Sequence, residues 1–283
     1  MDELLKAIEN FINAFDQTVS EYGSQPAGGS QMESEMNSYH DTKRIQEVFS
    51  FAQINLRVGR DQLASMPSLI RDDNIMTNPV AARAVLEASA LAGWILDPTI
   101  DAKERVKRGI AQLCDGKVQL RSFYQDDKDS DEAERAAHIA RINDFLDNRL
   151  PPILAANGIT YESANGKPIP AHKYKPNMVD MTEHFLGHEF RTAYRVLSGV
   201  AHGQPQMIIT FYYDIENAQG GDGMKKVEFK PGTGITLYSF KMAVQAYQKA
   251  LAAFFSIAGW DFNKIKPAYN NFEHFLREEI KKK

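Results

Sequence analysis

Cysteine is nearly missing from this 283-residue chain: Cys114 stands alone. No disulfide can form within the chain, and a reducing compartment fits such usage best. Long apolar runs are missing too. The two longest, AVLEASALAGWIL (84–96) and ALAAFFSIAGW (250–260), fall short of the ~20 residues that a membrane-spanning helix needs. Positive charge is in deficit: 33 Lys and Arg against 37 Asp and Glu leave a formal net charge of -4. A whole-molecule field that would draw in nucleic acid is therefore excluded, and any RNA or DNA contact must come from a local patch. Neither a GxGxxG nor a Walker pattern is present, which weakens dehydrogenase and nucleotide-hydrolase readings. The first residues, MDELLKAIENF, are acidic and amphipathic, unlike a secretory signal. The expectation is a cytoplasmic protein with no membrane association.

What the sequence does contain is helical periodicity. Hydrophobic residues make up 43% and charged residues 25%, the balance of an ordinary globular chain. Leu4, Leu5, Ile8, Phe11, Ile12, Phe15 and Val19 mark a helix over 2–21. GSQPAGGSQ (23–31) then reads as a flexible linker, so 1–31 is set apart from a single helical domain over 32–283. A long helix is expected at about 41–65. Asn78–Pro79 is a start signal, and the Ala-rich helix it opens closes at Asp97–Pro98. Further helices are expected at about 101–124, 131–150, 239–258 and 262–281. QMIITFYYD (206–214) and KVEFKPGTGITLY (226–238) carry the β-branched and aromatic residues of strands. The fold class expected is mainly α, with a small β-hairpin near 206–237. NAQGGDG (217–223) lies between those strands and does not lead from strand to helix, so it is a poor phosphate loop. The acidic QDDKDSDEAE (125–134) lacks the Gly and the terminal Glu of a calcium loop. It reads as an interhelical loop with Asp131 and Glu134 as a capping pair, and residues 157–176 read as loop.

One stretch stands out. His184, His188, Arg191, Arg195, Ser198 and His202 are spaced 4, 3, 4, 3 and 4, which holds them on one helical face. Leu186, Phe190, Ala193, Tyr194, Leu197 and Ala201 form an apolar stripe beside it. Arg grips phosphate with a planar fork of donors, and His transfers protons near neutrality. Gly203 is a natural cap, which places His202 at the negative end of the helix dipole, where the imidazolium is favoured. Arg195 and His202 lie about 10.5 Å apart along the axis at 1.5 Å per residue. A shared phosphate site is then easiest to build from two copies of the helix, and Gly199 and Ala201 would allow their close approach. Simpler roles are also open. Arg195 and His202 could pair with acids such as Glu87 or Asp97. His184 and His188 could ligate a metal with Glu189 or His172, though the Glu of HExxH is absent. Glu87 could pair with Arg83 or with an arginine of the stripe. Cys114 reads as core.

Arg195, six residues, then His202 resembles the R-x(4–6)-H signature of HEPN domains, all-α modules that include metal-independent ribonucleases of bacterial defence and toxin systems. YRVLSGVAHG (194–203) and ARAVLEASALAGWILDP (82–98) look like the HEPN-like proteins of bacteria, and the resemblance covers about 79–260. It implies a HEPN-like helical bundle acting as an endoribonuclease in defence or stress response, without cofactor or metal. Arg195 and His202 would be catalytic, with Arg191, His188, Ser198 and His184 binding substrate. RNA and a second copy of the chain are the implied partners, because active members join Arg and His from two protomers. The other reading the resemblance offers is a non-catalytic module that binds RNA, nucleotide or a protein partner. The His/Arg stripe favours the first reading; the negative net charge and Val196, where active ribonucleases often carry a polar residue, favour the second. Gln204 stands two residues after His202, so a toxin type silenced by modification of a Tyr there does not fit.

Overall fold

The computed structural model describes residues 1–23, 25–72, 74–129, 131–163, 165–215, 227–229 and 233–282, with backbone only at Ile75, Ile209, Thr233 and the residues 211–215 and 227–229. The chain is mostly helical. In order the helices are α1 (Asp2–Tyr22), α2 (Gln31–Ser38), α3 (Thr42–Arg71), α4 (Asn78–Ile95), α5 (Ala102–Asp126) and α6 (Glu132–Asp144). There follow α7 (Leu150–Ala156), α8 (Met178–Leu186), α9 (His188–Ala201), α10 (Pro205–Tyr212), α11 (Thr233–Ala258) and α12 (Lys266–Lys281). A single π-helical turn, Phe145–Arg149, joins α6 to α7.

Internal contacts divide the described chain into two compact units: 1–33, 52–96 and 178–283 form the first, 34–51 and 97–177 the second. In the first unit α4 and α11 pack together, with α8 and α9 against α4, and α1 lies against α12. The small residues of the Ala-rich helix permit this close packing. Ala81, Ala82, Ala88, Ala90, Ala92 and Gly93 of α4 are buried, and α11 sets Phe240, Val244, Tyr247 and Leu251 into the same core. Phe11 and Phe15 of α1 meet the Tyr247 ring edge-on at 6.3 and 5.8 Å between centroids. The segment read as a flexible linker is tied down: Trp260 Nε1 donates to the Gln25 carbonyl at 2.8 Å and Ala27 N to the Ala258 carbonyl at 2.8 Å.

In the second unit Asp131 caps its helix as the sequence predicts, and Asp101 caps another in the same way. Asp101 accepts from Glu104 N at 2.8 Å to start α5, and Asp131 accepts from Glu134 N at 3.0 Å to start α6. Arg105 is fully buried and donates through Nε to Glu35 at 2.7 Å. Cys114 is buried, as expected of a core cysteine, and burial pushes its thiol up to about 11.

The region 206–237 corrects the sequence reading. Residues 206–212, read as strand, lie in α10, and from Thr233 the chain is already in α11. Antiparallel pairing is confined to three residues on each side, Tyr213–Ile215 with Val227–Phe229, in the register Tyr213 opposite Phe229. The β-hairpin is thus not built over most of the length expected for it. Pro205 starts α10, since its fixed φ and missing N–H suit the first turn of a helix, and this outweighs the β propensity of Ile208, Ile209, Thr210, Phe211 and Tyr212. Segment 217–223 lies outside the described residues.

Candidate functional site

Leu197 and Phe190 are fully buried while Arg195 and His202 are exposed, so α9 has the two faces expected of it. The helix does not run from His184 to His202, however. Gly187 takes φ 114, ψ 164, a conformation that only glycine adopts readily, and splits the expected stripe into α8 and α9. His184 therefore sits on α8 and shares no continuous face with Arg195. His184 is exposed, with its ring edge-on to Phe185 at 4.6 Å between centroids.

The first part of α9 is also less cationic than its sequence suggests. Glu183 accepts from His188 Nδ1 at 2.7 Å and from Arg191 Nη1, and Asp180 lies 3.6 Å from the same nitrogen. These hydrogen bonds from His188 and Arg191 hold the Glu183 carboxyl below its usual range and raise Arg191 in turn. His188 and Arg191 are thus engaged by acids of the preceding helix.

The far end of α9 differs. The helix stops as expected: Gly203 adopts φ 66 and donates its N–H to the Val200 carbonyl at 3.0 Å, and Gln204 N reaches the Gly199 carbonyl at 2.9 Å. Both bonds satisfy carbonyls that a helix end otherwise leaves open. Gly199 is covered by its own chain. A Cβ there would stand 2.8 Å from both Gln204 Oε1 and Met207 Cγ, so this glycine accommodates the turn into α10.

His202 caps α9, and its ring meets Arg83 of α4, whose Nη1 lies 2.9 Å from His202 Nε2. Guanidinium has donors only, so in this contact Nε2 is the acceptor. Arg83 is fixed in turn by Glu87, one helical turn away, through an Nε–Oε1 bond of 2.9 Å. The Tyr194 hydroxyl donates to the same oxygen at 3.0 Å, and the Arg83 guanidinium lies 5.6 Å from the centre of the Tyr194 ring. Burial acts against the charge of Arg83, but Glu87 and Tyr194 outweigh it and hold the group above its ordinary range. The pairing of Glu87 with Arg83 agrees with the sequence reading. Glu87 does not touch Arg195, and Tyr194, assigned to the apolar stripe, adds a hydroxyl to the site.

Arg195, one turn before Ser198, is exposed and makes no hydrogen bond or ion pair among the described residues. Ser198 is half-buried, and its carbonyl accepts from His202 N at 2.9 Å. The site is therefore an exposed imidazole whose Nε2 is held by one arginine, with a second, unpaired arginine on the same helix. Arg83 escaped sequence reasoning because it lies 119 residues from His202; its spacing from Glu87 was the only local signal. Among the described residues no group of three or more His, Cys, Asp or Glu gathers as a metal-ligand cluster, and no helix is long and apolar enough to cross a membrane. Comparison with protein-family models, with curated proteins and with solved structures yields no match to this chain.

Proposed function

We propose that the His202 end of α9 is a phosphate site that cleaves RNA without a metal ion, in the manner the HEPN resemblance implies. The observation that carries this reading is the 2.9 Å contact between Arg83 and an exposed His202, with Arg195 unpaired nearby in sequence on the same helix. An RNA phosphate entering there would draw the Arg83 guanidinium onto its oxygens, since charge-assisted contacts to phosphate are stronger than a bond to neutral imidazole. His202 Nε2 is then free to take the proton of the neighbouring 2′-OH. The 2′ oxygen attacks phosphorus, the P–O5′ bond breaks, and the 5′ oxygen leaves and takes up a proton. The products are a 2′,3′-cyclic phosphate and a 5′-hydroxyl. DNA lacks the attacking group. Arg195 would stabilise charge on the phosphoryl oxygens, and His188, Arg191 and Ser198 would border the path of the backbone, with His184 beyond the break at Gly187.

The dimer inferred from the two-turn spacing belongs to the same proposal. It is the arrangement in which a second copy's Arg195 would approach His202, whereas Arg83 supplies an arginine within one chain. Light scattering separates the two: a monomer that cleaves RNA favours the Arg83 arrangement. A second reading, a non-catalytic module that binds RNA, nucleotide or a protein partner, is favoured by one observation, the neutralisation of His188 and Arg191 by Glu183 and Asp180. The test is incubation of the purified chain with a mixed RNA pool and with DNA, each with and without EDTA. RNA should be cut to cyclic-phosphate ends in EDTA while DNA survives. Binding without cleavage points to the module, and cleavage that EDTA stops places the chemistry elsewhere.

A further inference from the structure

Within the first unit a cavity of about 470 Å³ opens beside α1 and α3. Phe15, Leu56, Phe254 and Trp260 give it an apolar wall with three aromatic rings, each of these residues at most 9% exposed. Phe254 and Trp260 meet edge-on, 5.0 Å between centroids at 77°, and the Trp260 indole N–H is already satisfied by the Gln25 carbonyl. The rings therefore offer contact area without an unmet hydrogen bond.

The rim carries two arginines, with Asp16 on the rim and Asp61 against both arginines. Arg60 is bound by Asp16 through Nε and Nη2, and by Asp61 at 3.1 Å. Arg57 differs: its nearest carboxylate oxygen, on Asp61, is 3.7 Å away, and its side chain is 81% exposed. Asp16 and Asp61 thus engage Arg60 closely, and Arg57 is the weakly engaged cation of the rim. Small-molecule sites have this make-up and size: mostly apolar and aromatic walls, a volume of roughly 300–1,000 Å³ and a few polar groups that orient the ligand. Aromatic walls favour planar rings through offset and edge contacts, and a guanidinium at the rim favours an anion and can stack on a ring as well.

We propose that this cavity binds a planar aromatic compound bearing one anionic group, with the rings against Phe15, Phe254 and Trp260 and the anion on Arg57. The inference is independent of the RNA chemistry proposed for His202. The anion could be a nucleotide phosphate or an aromatic carboxylate, so the probes are adenosine monophosphate and 2-naphthoate, each beside its uncharged partner, adenosine and 2-naphthamide. The chain has two tryptophans, so Trp94→Phe leaves Trp260 as the sole indole reporter. At least one anionic probe should change Trp260 fluorescence saturably, with half-saturation below about 1 mM, and should bind more tightly than its uncharged partner. Which anionic probe wins identifies the source. Arg57→Gln should weaken that probe about tenfold, the scale of one charge-assisted hydrogen bond, and leave the uncharged partner unchanged. Ser20→Phe, an exposed position on the rim, should block both. Calorimetry on the unmodified chain gives the same reading if Trp94→Phe fails to fold. No saturable binding of any of the four probes, equal binding of charged and uncharged members, or indifference to both rim substitutions overturns the proposal.

Discussion

At the scale of the residue, two arginines show how burial decides what a guanidinium does. Arg83 is part-exposed and bound to Glu87, Tyr194 and His202, and keeps one edge towards solvent. Under the proposed chemistry Arg83→Ala should slow RNA cleavage while leaving α-helical circular dichroism unchanged, since its loss exposes no core. Arg105 is the opposite case, fully buried against Glu35 and the carbonyls of Asp97 and Ile100. Removing one partner of a buried ion pair strands the other charge and costs about 3–5 kcal/mol. Glu35→Ala should therefore lower the urea midpoint sharply, whereas Glu134→Ala, at an exposed position, should leave it nearly unchanged. Equal midpoints for the two variants would show that Arg105 draws its stability from the carbonyls alone.

At the scale of the element, the helices were legible wherever period and punctuation agree. Pro79 lies in the first turn of α4, where its missing N–H costs nothing, although Thr77 and not Asn78 is the cap, and Asp131 opens α6 by satisfying a bare N–H group there. Two elements were misread for physical reasons. The residues of α10 carry a strand-like composition, and tertiary context overrides so short a propensity signal. Gly187 sits in a helical pattern, where a glycine is merely weak, and the sequence does not distinguish that state from the φ of 114 it adopts. Of the site, Arg195 and His202 are visible in sequence as a spaced pair. Arg83 and Tyr194 enter through contacts between α4 and α9, which no local pattern records. Gly187→Ala would force a side chain into that region and set its Cβ 2.8 Å from Glu189 Oε2. It should cost about 1–3 kcal/mol, the usual cost of such backbone strain, read as a lower melting temperature. An unchanged melting temperature would mean that α8 and α9 join into one helix at little cost.

At the scale of the whole molecule, α1 is an integral part of its unit. Leu4, Leu5, Ile8, Phe11, Ile12 and Phe15 are buried, each worth about 1.5–3 kcal/mol, so together they rival the 5–15 kcal/mol by which a typical domain is stable. A chain lacking residues 2–22 should lose cooperative thermal unfolding; a sharp transition in that chain would show that α1 is dispensable. Alkaline pH acts on the whole chain as well. Burial raises the Cys114 thiol to about 11 and, with a hydrogen bond to Glu104, the Tyr174 hydroxyl to about 12. Burial also raises Tyr39, Tyr194, Tyr238 and Tyr247. These groups ionise first in the unfolded chain, near 8.5 for Cys and 10 for Tyr. Their contribution is complete below about pH 8.5 and is lost as pH rises towards 11–12. The urea midpoint should fall between pH 8 and 11, and a flat profile would contradict the burial of these groups.

The chemistry proposed at the end of α9 is tested most directly by one rate comparison in EDTA: RNA cleavage by the unmodified chain, by His202→Ala and by Arg195→Ala. Loss of a placed proton-transfer group slows a reaction about 10²- to 10⁴-fold, and loss of one preorganised donor to developing charge about 10²- to 10³-fold. Both variants should fall by those factors with helix content intact, His202→Ala the further. Cleavage that persists in both variants at the unmodified rate would contradict a site built on His202.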